Sequence, residues 1–382
     1  MTLEDGIRHF TRETRSLASL SVSFGNGHDL LTLRDGPVAS DTLYDLASLS
    51  KLFTCLCVLR LWEQGRLEPD SPVIRYAPQF VHLGNITVDQ VLGFSLALQT
   101  PERIDAQSTR QQGLNALFDV APMPHSGIRA YSDIHAMVLK YVIEGASGMK
   151  IADCLDTLIL SPFGMNDTYL TVPEACLSRV SSCNGEHRLE KGRWIIRDDV
   201  LPGTVHDPKA HLLSPRGEDF CGHAGVFSCE GDMIRLAQAL LDGQVVSREM
   251  LHRMAVNRTG CLLPSGEWRH FLGYQCYLRH PVQHFSEVPA YMSDEAFALS
   301  GFTGHHLSVD PVTGQFTMFL GNRVQNRLSV LIPEIGKEKT DYGLDADGVG
   351  LINSPDGPVY SSVDYVYRKD RYLHNAIERK EY

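Results

Sequence analysis

The chain has 382 residues, 43% of them hydrophobic, and a formal net charge of -11 at pH 7. This length and composition allow a large buried core, and an acidic balance without a basic run argues against nucleic acid or a membrane as a partner. The first residues do not resemble a secretory signal and no apolar run is long enough to span a bilayer, which predicts a cytoplasmic protein. Nine cysteines dispersed through apolar segments also fit a reducing compartment.

The beginning of the chain predicts a helix followed by a β-hairpin. The helix covers residues 1–16. Segments 17–24 and 28–34 flank the sequence Gly-Asn-Gly at 25–27, which tolerates positive φ and indicates a turn.

Ser48 and Lys51 form a Ser-x-x-Lys at the start of a segment that is apolar nearly all round from Leu49 to Trp62. A helix of that kind is buried centrally, and residues three apart on it share a face, so the lysine nitrogen can reach the serine hydroxyl. Serine needs a base to become a nucleophile, and desolvation in an apolar wall favours the neutral amine that can act as one. The Ser48 amide would lie among the free N–H groups of the first turn, where an oxyanion is stabilised.

Two other serine-containing segments have simpler interpretations. Ser147 and Lys150 also match Ser-x-x-Lys, but they fall where one helix ends and the next begins, which indicates capping. Ser95 lies in Gly-Phe-Ser-Leu-Ala, which lacks the preceding strand and the final glycine of an α/β-hydrolase elbow. We therefore discount both serines as nucleophiles.

His206, Asp207 and His211 lie close together in a loop-rich region between about 172 and 222. Their spacing suggests metal ligation, but no second cluster with a fixed ligand spacing accompanies them. The sequence therefore favours a solvated polar loop. We predict no metal site and no cofactor.

Strand signals return toward the end of the chain. Residues 296–301 predict a short buried strand, and 307–309 and 316–320 predict a second hairpin. Strands at both ends with helices between them indicate an α+β fold, in which an antiparallel sheet is flanked by terminal helices and a mainly helical lobe is inserted. We expect a single domain over 1–382, with the sheet lobe at about 1–45 and 265–382 and the helical lobe at about 46–264.

Four short segments carry a family resemblance. Residues 48–51 read Ser-Leu-Ser-Lys, and residues 131–133 read Tyr-Ser-Asp. Residues 161–168 read Ser-Pro-Phe-Gly-Met-Asn-Asp-Thr, and residues 222–228 read Gly-His-Ala-Gly-Val-Phe-Ser. In this order and spacing they resemble the serine β-lactamase and penicillin-binding fold, in the branch of class C β-lactamases, D-alanyl-D-alanine carboxypeptidases and class VIII esterases. The resemblance implies a β-lactamase-like fold over about 17–325.

The resemblance also implies roles for individual residues. Ser48 would be the acylated nucleophile, Lys51 its hydrogen-bonded partner, and Tyr131, in the loop before an amphipathic helix, the proton shuttle. The amides of Ser48 and Phe302 would form the oxyanion hole. Lys51 and Tyr131 would titrate as a coupled pair, and which of them is the base stays open.

The third motif of the family departs from its usual pattern. Where relatives have Lys or His, then Thr or Ser, then Gly, this chain has Leu299-Ser300-Gly301. Leu299 cannot donate to a carboxylate, which weakens the case for penicillins and D-alanyl-D-alanine peptides. Asp133 replaces the asparagine of the second motif and adds negative charge.

The residues expected to contact substrate are Asp133, Leu299, Ser300, Gly301 and His223, while the roles of His305 and His306 near the cleft stay open. The favoured function is a serine hydrolase that acts through an acyl-enzyme on a small ester, amide or peptide with a neutral acyl group. The alternatives are a β-lactamase or D-alanyl-D-alanine carboxypeptidase, an acyltransferase, and a non-catalytic binding protein of the same fold. The oligomeric state is not predicted.

Overall fold

Two β-sheets frame the protein, for which a computed structural model describes residues 1–26 and 29–382. The larger sheet is antiparallel throughout. Its six strands, in spatial order, are Leu30–Asp35, Leu20–Gly25, Gln315–Gly321, His305–Asp310, Phe297–Gly301 and Tyr277–Leu278. Both predicted hairpins and the predicted buried strand are therefore confirmed, although Gly27 and His28 of the first turn lie outside the described residues.

The second sheet was missed by the sequence analysis, which expected a single sheet. Its five strands, in spatial order, are Leu351–Ser354, Gly357–Ser361, Arg327–Ile332, Glu186–Glu190 and Arg193–Arg197. The central strand pairs in parallel with both of its neighbours, which come from distant parts of the chain. Two of the strands come from the range predicted as the helical lobe, and the division into two lobes stays a prediction.

Helices fill the middle of the chain and both of its ends. The α-helices are Leu3–Arg8, Lys51–Glu63, Val88–Leu92, Arg110–Phe118, Asp133–Ser147, Ile151–Leu155, Pro208–Leu213, Glu230–Leu241, Arg248–Met254, Val363–Lys369 and Asn375–Glu378. The predicted α+β architecture is confirmed. The sequence analysis did not predict the helix Arg110–Phe118 or the short strand pair Ala97–Gln99 and Ala121–Met123.

The helix Lys51–Glu63 is the centre of the main core. Every residue from Lys51 to Leu61 except Arg60 is buried, as its uniformly apolar sequence predicts. Cys55 and Cys57 are buried apolar side chains of this core.

The terminal helices cover one face of the six-stranded sheet. Leu3, Ile7 and Phe10 from the first helical segment pack with Phe319 of the sheet and with Leu373 near the C-terminus. The termini are thus fixed to the sheet by apolar contacts. None of the helices in the described part of the chain is both long and apolar enough to cross a lipid bilayer.

Candidate active site

Ser48 lies in a tight turn, Ala47–Ser50, that runs directly into the helix Lys51–Glu63. The Nζ atom of Lys51 donates a hydrogen bond to Ser48 Oγ over 2.9 Å. Lys51 is fully buried, whereas Ser48 is half-buried and lines a cavity. The predicted contact between the two side chains is therefore present.

The backbone before the serine is held in an unusual conformation. Ala47 has a φ of 45°, a region that costs a non-glycine residue about 1–3 kcal/mol. The buried carboxylate of Asp45 accepts hydrogen bonds from the Ala47 amide (2.9 Å) and the His206 amide (2.7 Å). The carbonyl of Asp45 accepts from Nε2 of His305 over 2.8 Å. These contacts fix the turn that presents the serine to the cavity.

Lys51 forms an ion pair with Asp133. Its Nζ lies 2.8 Å from Asp133 Oδ1, and Nζ of Lys209 lies 3.0 Å from Oδ2 of the same carboxylate. Burial opposes ionisation of Asp133, but Lys51, His223 and Lys209 together hold its pKa well below the usual range. Lys51 thus contacts a carboxylate as well as the apolar surroundings that the sequence predicts.

Tyr131 lies in the loop before the helix Asp133–Ser147, as predicted. Its ring stacks between Tyr277 at 5.3 Å and Phe94 at 5.5 Å, and Lys51 Nζ lies 4.8 Å from the ring centroid. Burial and the negative charge of Asp133 raise the pKa of Tyr131, an effect only partly offset by the Ser48 hydroxyl. The resting state of Tyr131 is therefore the neutral phenol, which can donate a proton.

The end of the strand Phe297–Gly301 packs closely against the turn that holds Ser48. A Cβ atom at Gly301 would lie 2.4 Å from the carbonyl oxygen of Leu46. The next residue, Phe302, is held by Arg323, which donates to its carbonyl oxygen over 3.0 Å and lies 4.6 Å from its ring centroid. Phe302 is thus the residue that comes immediately after the contact between the strand and the turn.

A cavity of about 590 Å³ opens beside these groups. Six of the predicted site residues line it: Ser48, Tyr131, Asp133, Ser300, Gly301 and Phe302. Further lining residues include Glu186, His206, Asp207, Tyr277, Glu287, His305, Arg323 and Lys369. The structure therefore brings most of the predicted site together.

Two predicted substrate contacts, Leu299 and His223, do not line this cavity. Leu299 belongs to the apolar core, because successive side chains of a strand point to opposite faces and Ser300 is the one that faces the cavity. His223 is fully buried behind the site. Its carbonyl lies 3.4 Å from Lys51 Nζ and its Nε2 lies 2.8 Å from Asp207 Oδ1. We correct both assignments: these residues support the site from behind.

The segment 206–209 contributes groups that the sequence analysis did not assign to the site. It was predicted to be a solvated polar loop, but His206 is buried against Glu186, and Lys209 reaches Asp133. The closeness of His206 and Asp207 in the sequence is the signal that marks this segment as part of the site.

Glu287 is a second group that the sequence did not indicate. Its carboxylate accepts a hydrogen bond from Ser300 Oγ over 2.8 Å and lies 3.4 Å from Lys369 Nζ. His306 is buried nearby, with Nδ1 3.2 Å from Ser300 Oγ. The hydroxyl of Ser300 thus donates its hydrogen bond to the carboxylate of Glu287 at the edge of the cavity.

Asp133, Asp207 and His223 each offer a ligand atom, and these atoms lie within 4.8 Å of one another. The ammonium groups of Lys51 and Lys209 already neutralise Asp133, however, and Asp207 also caps the helix Pro208–Leu213. The charges balance within the protein. This donor set does not fit a resident cation.

The two discounted serines lie elsewhere. Ser147 ends the helix Asp133–Ser147, and its Oγ accepts from the Met149 amide over 3.1 Å, while Lys150 is exposed. Ser95 is exposed after the helix Val88–Leu92 and does not line the cavity. Ser147 lies where one helix ends and the next begins, as predicted, but the capping prediction is wrong because the cap residues are Gly148 and Lys150.

Known proteins resemble the chain in sequence and in structure. "Putative D-alanyl-D-alanine carboxypeptidase" of Escherichia coli (strain K12) is 25% identical over 323 residues, covering 78% of this chain and 73% of the relative. The protein of the same name from Salmonella typhi is 26% identical over 330 residues, covering 78% and 74%.

Solved structures share the fold over most of their length. EstCE1, described as a hydrolase with promiscuous acyltransferase activity, superposes with a TM-score of 0.68 at 15% identity and covers 97% of both chains. A class C β-lactamase from Rhodobacter sphaeroides gives a TM-score of 0.62 at 22% identity, covering 84% of this chain and 93% of that one. A sequence model of the Beta-lactamase family matches residues 8–334. The chain therefore belongs to the Beta-lactamase family, as the order and spacing of its motifs predict.

Proposed function

We propose that this protein is a serine hydrolase that cleaves a small ester or amide through an acyl-enzyme on Ser48. The observation that carries the proposal is the 2.9 Å hydrogen bond from buried Lys51 to Ser48 Oγ at the wall of a cavity of about 590 Å³. A cavity of this size accommodates a small molecule. A nucleophile in contact with a titratable partner is the arrangement that acyl transfer requires.

In the acylation step, Ser48 Oγ attacks the substrate carbonyl carbon and its proton passes to the pair formed by Lys51 and Tyr131. The carbonyl oxygen becomes an oxyanion, which the amides of Ser48 and Phe302 stabilise. The C–O or C–N bond to the leaving group then breaks. Tyr131 donates the proton that the leaving group needs, since its raised pKa keeps it protonated.

Asp133 helps to hold Lys51 in place for this step. The Asp133 carboxylate lies 2.8 Å from Lys51 Nζ, which donates to Ser48 Oγ over 2.9 Å.

Glu287 takes up a donor that an anionic substrate group would need. The Ser300 hydroxyl donates to the Glu287 carboxylate at the cavity edge, so it does not donate to a substrate carboxylate there. This contact favours neutral acyl groups over penicillins and D-alanyl-D-alanine peptides, although the curated relatives are named as carboxypeptidases.

Acyl transfer to an alcohol or amine is an alternative outcome of the same acyl-enzyme. A structural neighbour described as a hydrolase with acyltransferase activity shares only the fold at 15% identity. A non-catalytic binding protein is a weaker alternative, because the nucleophile and its partner are in contact. A cytoplasmic location stays a prediction from the sequence.

The test measures steady-state hydrolysis of a neutral p-nitrophenyl ester and of a penicillin by the wild type, Ser48→Ala and Ser147→Ala. We expect ester turnover by the wild type and by Ser147→Ala, little turnover of penicillin, and no turnover by Ser48→Ala. The Ser147 variant is a matched control because it alters the second Ser-x-x-Lys. Faster turnover of penicillin than of the ester would favour the β-lactamase alternative.

A further inference from the structure

A second pair of buried polar side chains, Glu186 and His206, lines the same cavity as Ser48. Nε2 of His206 lies 2.8 Å from Glu186 Oε2, and the other carboxylate oxygen accepts from Ser329. His206 is 3% exposed and Glu186 1%. Within residues 1–26 and 29–382, Nδ1 of His206 has no hydrogen-bond partner. Glu186 therefore holds the imidazole of His206 through Nε2, and Nδ1 is free of hydrogen bonds within the described part of the chain.

Two contacts tie His206 to the reacting centre. Its ring stacks on Phe302 at 5.7 Å with an angle of 18° between the planes, and Phe302 carries the second proposed oxyanion amide. Its backbone amide and that of Ala47 share the carboxylate of Asp45, so the residue before the nucleophile and His206 are bound to the same group. His206 thus lines the same cavity as Ser48 and is bound to both the turn before Ser48 and the ring of Phe302.

We propose that His206 is the general base for the second half of the reaction and activates the acceptor that attacks the acyl-enzyme. Glu186 is its positioning residue, because it holds Nε2 and stabilises the imidazolium that forms. This inference rests on the proposed function. It adds a separate base, distinct from the pair of Lys51 and Tyr131.

In this step, the oxygen of water or of an alcohol forms a bond to the acyl carbon while its proton passes to Nδ1 of His206. The tetrahedral intermediate collapses by breaking the bond to Ser48 Oγ, and this oxygen takes a proton from the pair of Lys51 and Tyr131. The released product is an acid or a new ester. His206 then loses its proton to solvent and the pair regains one from solvent, so the enzyme returns to its starting state.

The test separates the two half-reactions by stopped-flow measurement with a p-nitrophenyl ester. In His206→Gln and Glu186→Gln we expect a burst of p-nitrophenol with the amplitude and rate constant of the wild type. The subsequent turnover should fall about 100-fold in His206→Gln and less in Glu186→Gln. Added imidazole should restore part of the turnover of His206→Ala. His211→Gln, on the neighbouring helix and outside the cavity lining, is the matched control and should behave as the wild type.

The outcomes distinguish this inference from the proposed function. A wild-type burst with unchanged turnover in His206→Gln would overturn the role of His206 alone. Equal losses of burst rate and turnover, without rescue by imidazole, would assign His206 to structure and also overturn it. Absence from the wild type of both a burst and an acyl adduct on Ser48 after acid quench would overturn the proposed function and this inference with it. Thermal unfolding of each variant checks that the fold is retained.

Discussion

Replacing Gly301 with alanine tests whether the contact between strand and turn shapes the oxyanion hole. The added Cβ would lie 2.4 Å from the carbonyl oxygen of Leu46, whereas real Cβ atoms essentially never approach closer than 3.0 Å. The two backbones must therefore separate by at least about 0.6 Å, the difference between those distances. Oxyanion donors act over a narrow range of distances, and misplacement by about 1 Å can cost about 100-fold in rate.

We therefore expect Gly301→Ala to slow acylation by about 10- to 100-fold, which is about 1.4–2.7 kcal/mol of transition-state stabilisation. The burst rate constant with a p-nitrophenyl ester measures this directly, and circular dichroism checks the fold. Gly127→Ala is the matched control, because nothing lies within 4 Å of an added Cβ there. A Gly301→Ala variant that folds and acylates at the wild-type rate would refute the proposed position of the oxyanion hole.

Three further predictions concern charge and packing. Asp133→Asn removes the carboxylate that contacts both Lys51 and Lys209, so the free energy of unfolding should fall by about 3–5 kcal/mol; an unchanged free energy of unfolding would contradict the structural role of these contacts. Burial opposes ionisation of Glu186, but its hydrogen bond and ion pair with His206 lower its pKa to about 2. Since the folded-state pKa of Glu186 is depressed, its contribution to stability is complete above about pH 4.3 and is lost as the pH falls through about 2. Chemical denaturation should therefore show a fall of about 3 kcal/mol in the free energy of unfolding of the wild type over this range, and Glu186→Gln should lack this contribution. Leu56→Ala, at a fully buried side chain of the central helix, should lower the free energy of unfolding by about 2–5 kcal/mol. Leu201→Ala, at a side chain that is 57% exposed, is the control and should change the free energy of unfolding by less than about 0.5 kcal/mol. Equal effects of the two substitutions would contradict the assignment of the core.

The sequence predicts the features that depend on local pattern. The central helix follows from an apolar segment with no polar face. The contact of Ser48 with Lys51 follows from their three-residue spacing, although Ser48 lies in the turn that leads into the helix and not on the helix itself. The two hairpins follow from turn residues between apolar strands. The position of Tyr131 before a helix follows from the periodicity of the apolar residues after it.

Features formed by distant segments could not be predicted. The five-stranded sheet pairs Glu186–Glu190 with Arg327–Ile332 in parallel, and neither the charged first strand nor any turn signal marks that pairing. Leu299 was misassigned because the motif was aligned without considering which face of the strand each side chain occupies. The contact of Lys51 with Asp133 joins two segments that are far apart in the sequence. Glu287 and Arg323 reach the cavity from segments without a recognisable motif.

The central claim is that substrate acylates Ser48. Rapid acid quench during turnover of a p-nitrophenyl ester, followed by intact-protein and peptide mass spectrometry, tests it most directly. The account predicts a single acyl adduct on the peptide that contains Ser48 in the wild type, and none in Ser48→Ala. An adduct on another residue, or turnover by Ser48→Ala at the wild-type rate, would contradict it.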